Sequence, residues 1–174
     1  MVSFFKKVCL LGIISLAACT SSEQVNQAQL SEEINTLINQ WHVDAANANL
    51  EDYIGLMDST CNYIGTDATE NWLRDSFASF CKPYFDKGTT WDFTPLQRSV
   101  QINSTGNTAW FDEILDTHMG TCRGSGALEK IEGHWKLKQY VLSVAIPNES
   151  MNEVKKVKHN ADSAFQAHFL AKKN

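Results

Sequence analysis

After Ala18 the sequence has no apolar run of the ~20 residues that a membrane-crossing helix requires. It has no excess of basic residues either: 15 Lys and Arg stand against 20 Asp and Glu, a formal net charge of −5. That balance, with no basic cluster, argues against a nucleic-acid partner and against an electrostatic grip on anionic lipid. No Cys or His pairs stand at zinc-site spacing, so no metal site and no cofactor are expected. The five histidines, His42, His118, His134, His159 and His168, are scattered and read as ordinary residues. No phosphate-loop pattern surrounds Gly124 and Gly126, and Ser125 lacks a nucleophile elbow. Internal repeats are absent.

What is present begins with an export signal. Lys6 and Lys7 precede a short apolar stretch, Val8 to Ala18, too short to span a bilayer. It ends in Leu16-Ala17-Ala18-Cys19, then Thr20, Ser21 and Ser22. This resembles the bacterial lipobox, which implies a lipoprotein signal peptide over residues 1–18 and lipid on Cys19. Multi-chain lipid then holds the protein stably on a membrane. The expected localisation is the cell envelope, lipid-anchored on the exported side. Thr20 after the lipid cysteine is not an inner-membrane retention signal, which favours the outer membrane.

Cys61, Cys81 and Cys122 remain, an odd number for an oxidising space. Two readings stay open: one bridge in some pairing plus a free thiol, or three buried thiols behaving as small apolar residues. A Cys61–Cys81 bridge would close a loop of about 20 residues, worth roughly 3 kcal/mol in loop-closure entropy.

Residues 19–29 are polar and read as a flexible tether. Ser31 is the expected cap of a first helix, whose apolar face carries Leu30, Ile34, Leu37, Ile38, Trp41 and Ala45. Asn49 caps a short second helix over 50–57. Residues 61–65 read as a strand. Asp67 or Thr69 caps a third helix over 70–81, which Pro83 prevents from running on. Strands are expected over 91–94 and 98–103, on either side of Pro95, then over 108–117, 121–130 and 134–146, with hairpin turns at 104–107 and 132–133. Residues 151–172 read as an amphipathic helix lying on the domain. Helices first and an antiparallel meander afterwards define an α+β class with helices on one sheet face. The domain is expected over 30–148 and the tail over 149–174.

Several strings in order carry a family resemblance: Gly65-Thr66-Asp67-Ala68-Thr69-Glu70-Asn71-Trp72, Lys82 to Gly88 followed by Trp91, Ala109-Trp110-Phe111-Asp112-Glu113, Arg123 to Leu128, Trp135 to Tyr140, and Ile146-Pro147-Asn148. Together they resemble a SnoaL-like domain of the nuclear transport factor 2-like superfamily. The resemblance implies a cone: a strongly curved antiparallel sheet, of the cystatin-type roll, wrapped around the N-terminal helices with a cavity open at one end. It also implies that enzymes of the family place an aspartate and a histidine inside the cone, where the last strand here offers Gln139 and Val141.

Proton transfer in such a pocket needs a carboxylate or histidine with a nearby donor. Asp112 and Glu113 are the candidate catalytic carboxylates, and because strand side chains alternate, only one faces in. Asp67 in its turn more readily caps a helix. Tyr63, Trp72, Trp110, Arg123 and Gln139 are the candidate ligand-binding residues. Lys136 and Lys138 share a face that should be the outer one, which turns Trp135, Leu137, Gln139 and Val141 inward. Tyr140, Leu142 and Val144 then form an outer apolar patch, fit for a homodimer or for the C-terminal helix. Arg123 is expected to pair with whichever carboxylate faces in; such a lock favours a binding or structural role. A cavity carboxylate with a raised pKa and no basic partner favours an enzyme. The expected function is an envelope lipoprotein whose pocket binds a small apolar ligand, or a partner, without catalysis. The alternative is an isomerase, cyclase or dehydratase using the inward carboxylate as general base.

Overall fold

The computed structural model describes residues 25–171. The signal segment and Cys19 lie outside the described residues. Helix α1 (Gln27–Ala46) begins a turn before the expected Ser31. Asn26 is the cap, its side chain accepting from the Gln29 amide at 3.1 Å. The early start is favoured by packing, because Gly106 in the facing hairpin turn has no Cβ and leaves room for Val25 and Leu30. Ile34, Ile38, Trp41, His42 and Ala45 are buried on one face of α1. Helix α2 (Leu50–Gly55) is capped by Asn49 as expected and buries Tyr53, whose carbonyl accepts from Trp41 Nε1 at 2.9 Å.

Strand β1 (Met57–Ile64) is longer than expected and β2 (Asn71–Leu73) replaces the expected first turn of the third helix. The reason is pairing: Asn62, Tyr63 and Ile64 hold Leu73, Trp72 and Asn71 in an antiparallel hairpin. Asp67 therefore closes the turn between them, accepting from the Thr69 amide at 2.8 Å, rather than capping a helix. Helix α3 (Arg74–Phe85) buries Phe77, Cys81 and Phe85 and ends two residues past Pro83.

The remaining strands are β3 (Thr94–Ile102), β4 (Thr108–Thr117), β5 (Gly120–Ile131) and β6 (His134–Val144). Pro95 lies within β3 instead of separating two strands. It is tolerated because β3 is an edge strand and a bulge follows at Leu96. The sheet order is β2-β1-β6-β5-β4-β3. The meander β3–β6 is antiparallel as expected, whereas β1 joins β6 in parallel, so the curled, unclosed sheet is mixed.

A bulge in β6 overturns the expected facing of the last strand. Leu128 pairs with Leu137 but Ala127 pairs with Gln139, so Lys138 is an extra residue. One extra residue reverses which face every later side chain occupies. Trp135 and Leu137 point inward as expected, but beyond the bulge Tyr140 and Leu142 are buried and Gln139 is exposed. Lys138 anchors the bulge by donating to Asp58 Oδ1 at 2.7 Å and to Thr60 Oγ1 at 2.9 Å. Lys138, with the hydroxyl and amide of Thr60, holds the Asp58 carboxyl far below its ordinary value. The expected outer apolar patch of Tyr140, Leu142 and Val144 does not form, because Tyr140 and Leu142 are buried and only Val144 is exposed; Trp110 is among the exposed apolar residues of the outer face, half-exposed beside Gln101, Ala127 and Gln139.

Trp41, Tyr53, Met57, Phe77, Leu115, Leu137 and Tyr140 fill the space between sheet and helices. Most of the expected hollow is therefore packed. Cys61, Cys81 and Cys122 are buried free thiols, and burial pushes Cys61 and Cys81 up to about 12. Helix α4 (Met151–Ala171) forms where expected but buries none of its residues; Val157 is 88% exposed. It borders the β1–β2 turn through Ala161, Asp162 and Phe165 and leaves most of its apolar face uncovered.

Candidate functional site

Alternation along β4 sends Asp112 outward to solvent and Glu113 inward, where its side chain is fully buried. A buried carboxylate needs compensation, and Glu113 has four donors. His42 Nε2 meets its Oε1 at 3.0 Å, and Tyr140 Oη donates to the same oxygen at 2.8 Å. Arg98 donates to Oε2 through Nε at 2.9 Å and Nη2 at 2.7 Å. A carboxylate only accepts, so the His42 proton sits on Nε2. The third guanidinium nitrogen of Arg98 donates to the Asn35 carbonyl at 3.1 Å and to Asn39 Oδ1 at 2.8 Å, tying β3 to α1. Burial works to raise the Glu113 pKa, but His42, Arg98 and Tyr140 outweigh it and hold the carboxyl below its ordinary value. Gly124 on β5 makes this possible: a Cβ there would run into the Tyr140 hydroxyl and come within 2.8 Å of Glu113 Oε1. Gly124 therefore admits a polar contact between its neighbours on β4 and β6.

The expected partner Arg123 is exposed on the outer face and takes no part. Arg98 does so because β3 pairs it directly with Glu113. That register was within reach of the sequence, since counting outward evenly from the turn at 104–107 brings Arg98 opposite Glu113. His42 was missed because it stands at the edge of the α1 apolar stripe, where a histidine attracts no notice. Its signal was the spacing of four residues from Ile38.

The open space lies elsewhere. At the end of the sheet where β4 turns into β5, a cleft of about 370 Å³ is lined by Tyr63, Glu70, Trp72, Phe77, Phe80, Tyr84, Trp91, Phe93, His118, Met119 and Leu142, among others. Tyr63 and Trp72, held opposite each other by the β1–β2 pairing, are the two predicted ligand residues found here. Trp110, Arg123 and Gln139 are not, because all three point to the outer face. One aromatic layer divides the cleft from the Glu113 cluster: the Phe93 ring is 6.2 Å from that of His42, and the Tyr63 ring 5.6 Å from that of Tyr140. Trp91 Nε1 is buried without a hydrogen-bond partner. A second depression, about 420 Å³, lies between α1, α2 and the β5–β6 turn and carries mixed charges, among them Asp44, Asp52, Glu132 and Lys136. Among the described residues no three His, Cys, Asp or Glu side chains gather as a metal site.

Comparison with known proteins agrees with this architecture. The profile of the SnoaL-like domain family matches residues 34–147. The chain belongs to that family. No curated protein matches it in sequence. Among solved structures, this SnoaL-like chain is similar to an NTF2-like protein of unknown function from Pseudomonas putida, at 14% identity and a TM-score of 0.59, covering 71% of this chain and 92% of that one. A domain of unknown function with a cystatin-like fold from Nostoc punctiforme is similar at 13% identity and a TM-score of 0.60, covering 83% and 96%. A protein described provisionally as a ketosteroid isomerase, from Parabacteroides distasonis, is similar at 17% identity and a TM-score of 0.54, covering 67% and 88%. At these identities the likeness concerns the fold; function has to be sought in the residues of the site.

Proposed function

We propose that this SnoaL-like protein is an envelope lipoprotein that holds a small, mostly apolar molecule in the mouth cleft without transforming it. The observation that carries this reading is a separation. The cleft has aromatic walls and room for a ligand, in the range of small-molecule sites. The buried carboxylate that could act as a base has both oxygens occupied by Arg98, His42 and Tyr140. A general base needs a free lone pair within reach of the substrate.

The lipid anchor fits the geometry. Gln27 Nε2 donates to the Asn103 carbonyl at 3.3 Å and Val25 lies by Gly106, so the chain enters the domain beside the β3–β4 turn. The cleft is at the other end of β4, about 30 Å away at the rise of an extended strand. With lipid on Cys19, the mouth faces away from the membrane and takes its ligand from the aqueous side.

Native mass spectrometry of the full chain, extracted in mild detergent from its own envelope, tests the reading. A small molecule released on denaturation is expected. A bare chain that also fails to bind apolar probes would discard it. Loss of labelling by radioactive palmitate in Cys19→Ala is the corresponding check on the anchor.

A second reading has one observation in its favour. Carboxylate, imidazole and phenol meet at Glu113, His42 and Tyr140, a single ring behind the cleft. This would be an acid–base set if Phe93 swung aside. Turnover of a carbonyl substrate that disappears in Glu113→Gln, in a chain with unchanged circular dichroism, would establish it.

A further inference from the structure

We propose that the molecule held in the mouth cleft is an organic cation, an amine or quaternary ammonium carried on an apolar body. The proposal rests on the reading of the cleft as a ligand site and adds the ligand's charge. Six aromatic side chains line the cleft and pack on one another in its wall. Tyr63 and Trp72 are 6.3 Å apart between centroids, Trp72 and Phe80 4.8 Å, and Phe80 and Tyr84 5.4 Å. Tyr84 and Trp91 follow at 6.4 Å, Trp91 and Phe77 at 6.4 Å, and Phe77 and Tyr63 at 3.8 Å. Aromatic faces carry negative charge density and attract cations within about 6 Å of the ring centre.

The charged side chains of the cleft point the same way. Glu70 is the carboxylate among its lining residues, and neither Lys nor Arg lines it. The Glu70 side chain is held in place. Its Oε2 accepts from the Asp67 amide at 3.1 Å, and Gly65, lacking a Cβ, leaves the space that the carboxylate occupies. Among the described residues nothing donates to its Oε1. Lys158, the nearby lysine on α4, is engaged with Asp162 at 3.1 Å and does not neutralise Glu70. His118, on the β4–β5 turn, lies against Phe93 at 6.4 Å. An anion entering here would meet a carboxylate and ring faces. A neutral apolar molecule would cover Glu70 and leave its charge short of water and of a partner. A cation satisfies both the rings and the carboxylate.

The test is isothermal titration of the full chain in detergent micelles, blank micelles subtracted, with benzyltrimethylammonium and with its uncharged carbon isostere, neopentylbenzene. The cation is expected to bind at least about ten-fold more tightly. Glu70→Gln keeps an acceptor for the Asp67 amide and removes the charge. It should bring the cation down to the affinity of the isostere while leaving the isostere unchanged. In the native chain, added salt should weaken the cation alone, a readout that holds even if the variant does not fold. If the isostere binds as well as the cation, the charge assignment is overturned and the apolar cleft stands. A cation preference that survives Glu70→Gln in a folded chain also overturns it. If neither probe binds, the ligand-site reading falls as well.

Discussion

Two carboxylates in this protein, Glu113 inside the cone and Glu70 at its mouth, have similar local settings and opposite circumstances. Each gains its space from a glycine on a neighbouring segment, Gly124 for Glu113 and Gly65 for Glu70. Glu113 is fully buried and accepts from three side chains on three different elements, β3, α1 and β6. Glu70 accepts from one amide of its own turn and borders open space. The difference teaches that a carboxylate's role is set by how many donors the fold delivers to it. Glu113 ties sheet to helix, and Glu70 remains available to something from outside.

The sharpest way to break the comparison is at Arg98, whose side chain is 5% exposed. Arg98→Met leaves Glu113 buried with its charge poorly compensated, and should cost about 3–5 kcal/mol. Urea denaturation measures this, and Arg98→Met/Glu113→Gln should recover part of the loss. A cost near zero would mean that the cluster does not hold the fold together. Gly124→Ala comes next. Its methyl collides with the Tyr140 hydroxyl and crowds Glu113, which should cost about 1–3 kcal/mol. The same substitution in a Tyr140→Phe background should cost less.

Acid probes the same region. The folded-state pKa of Glu113 lies below its ordinary value of 4.5. Its contribution is therefore complete above that pH and is lost as pH falls through the folded value. Asp58, held down by Lys138 and Thr60, adds in the same direction. The denaturation midpoint should stay level on the neutral side and fall below about pH 4.5, less steeply in Glu113→Gln. The smallest effect belongs to the mouth. Glu70→Gln should change stability by no more than about 0.5 kcal/mol, because it disturbs one exposed turn. A large loss there would erase the contrast between the two carboxylates.

The architecture was largely legible from the residues. The stripe Ile34, Ile38, Trp41 and Ala45, the cap at Asn49, the hairpin signals and the alternation in β4 all lead to the observed elements. Alternation alone established that Asp112 and Glu113 oppose each other. The site was less legible. Trp72 reads as helix because Asn71–Leu73 has no strand pattern of its own and becomes a strand only by pairing with β1. Trp110 and Arg123 have the chemistry of a ligand site, but sheet register puts both on the outer face.

By itself the sequence determined the α+β class, the order of the four helices and the longer strands apart from β2 and the split at Pro95, and the polar and apolar faces wherever periodicity ran unbroken. Those features depend on residues close together in the chain, where side-chain period and backbone preference act directly. Only the tertiary structure decided that Lys138 bulges and turns Tyr140 inward, that His42 reaches Glu113 from α1, and that the open space lies at the mouth. The physical reason is that an ion-paired bulge, a helix-to-strand contact and a gap between rings belong to pairs of distant segments, and none of them leaves a period in either segment alone.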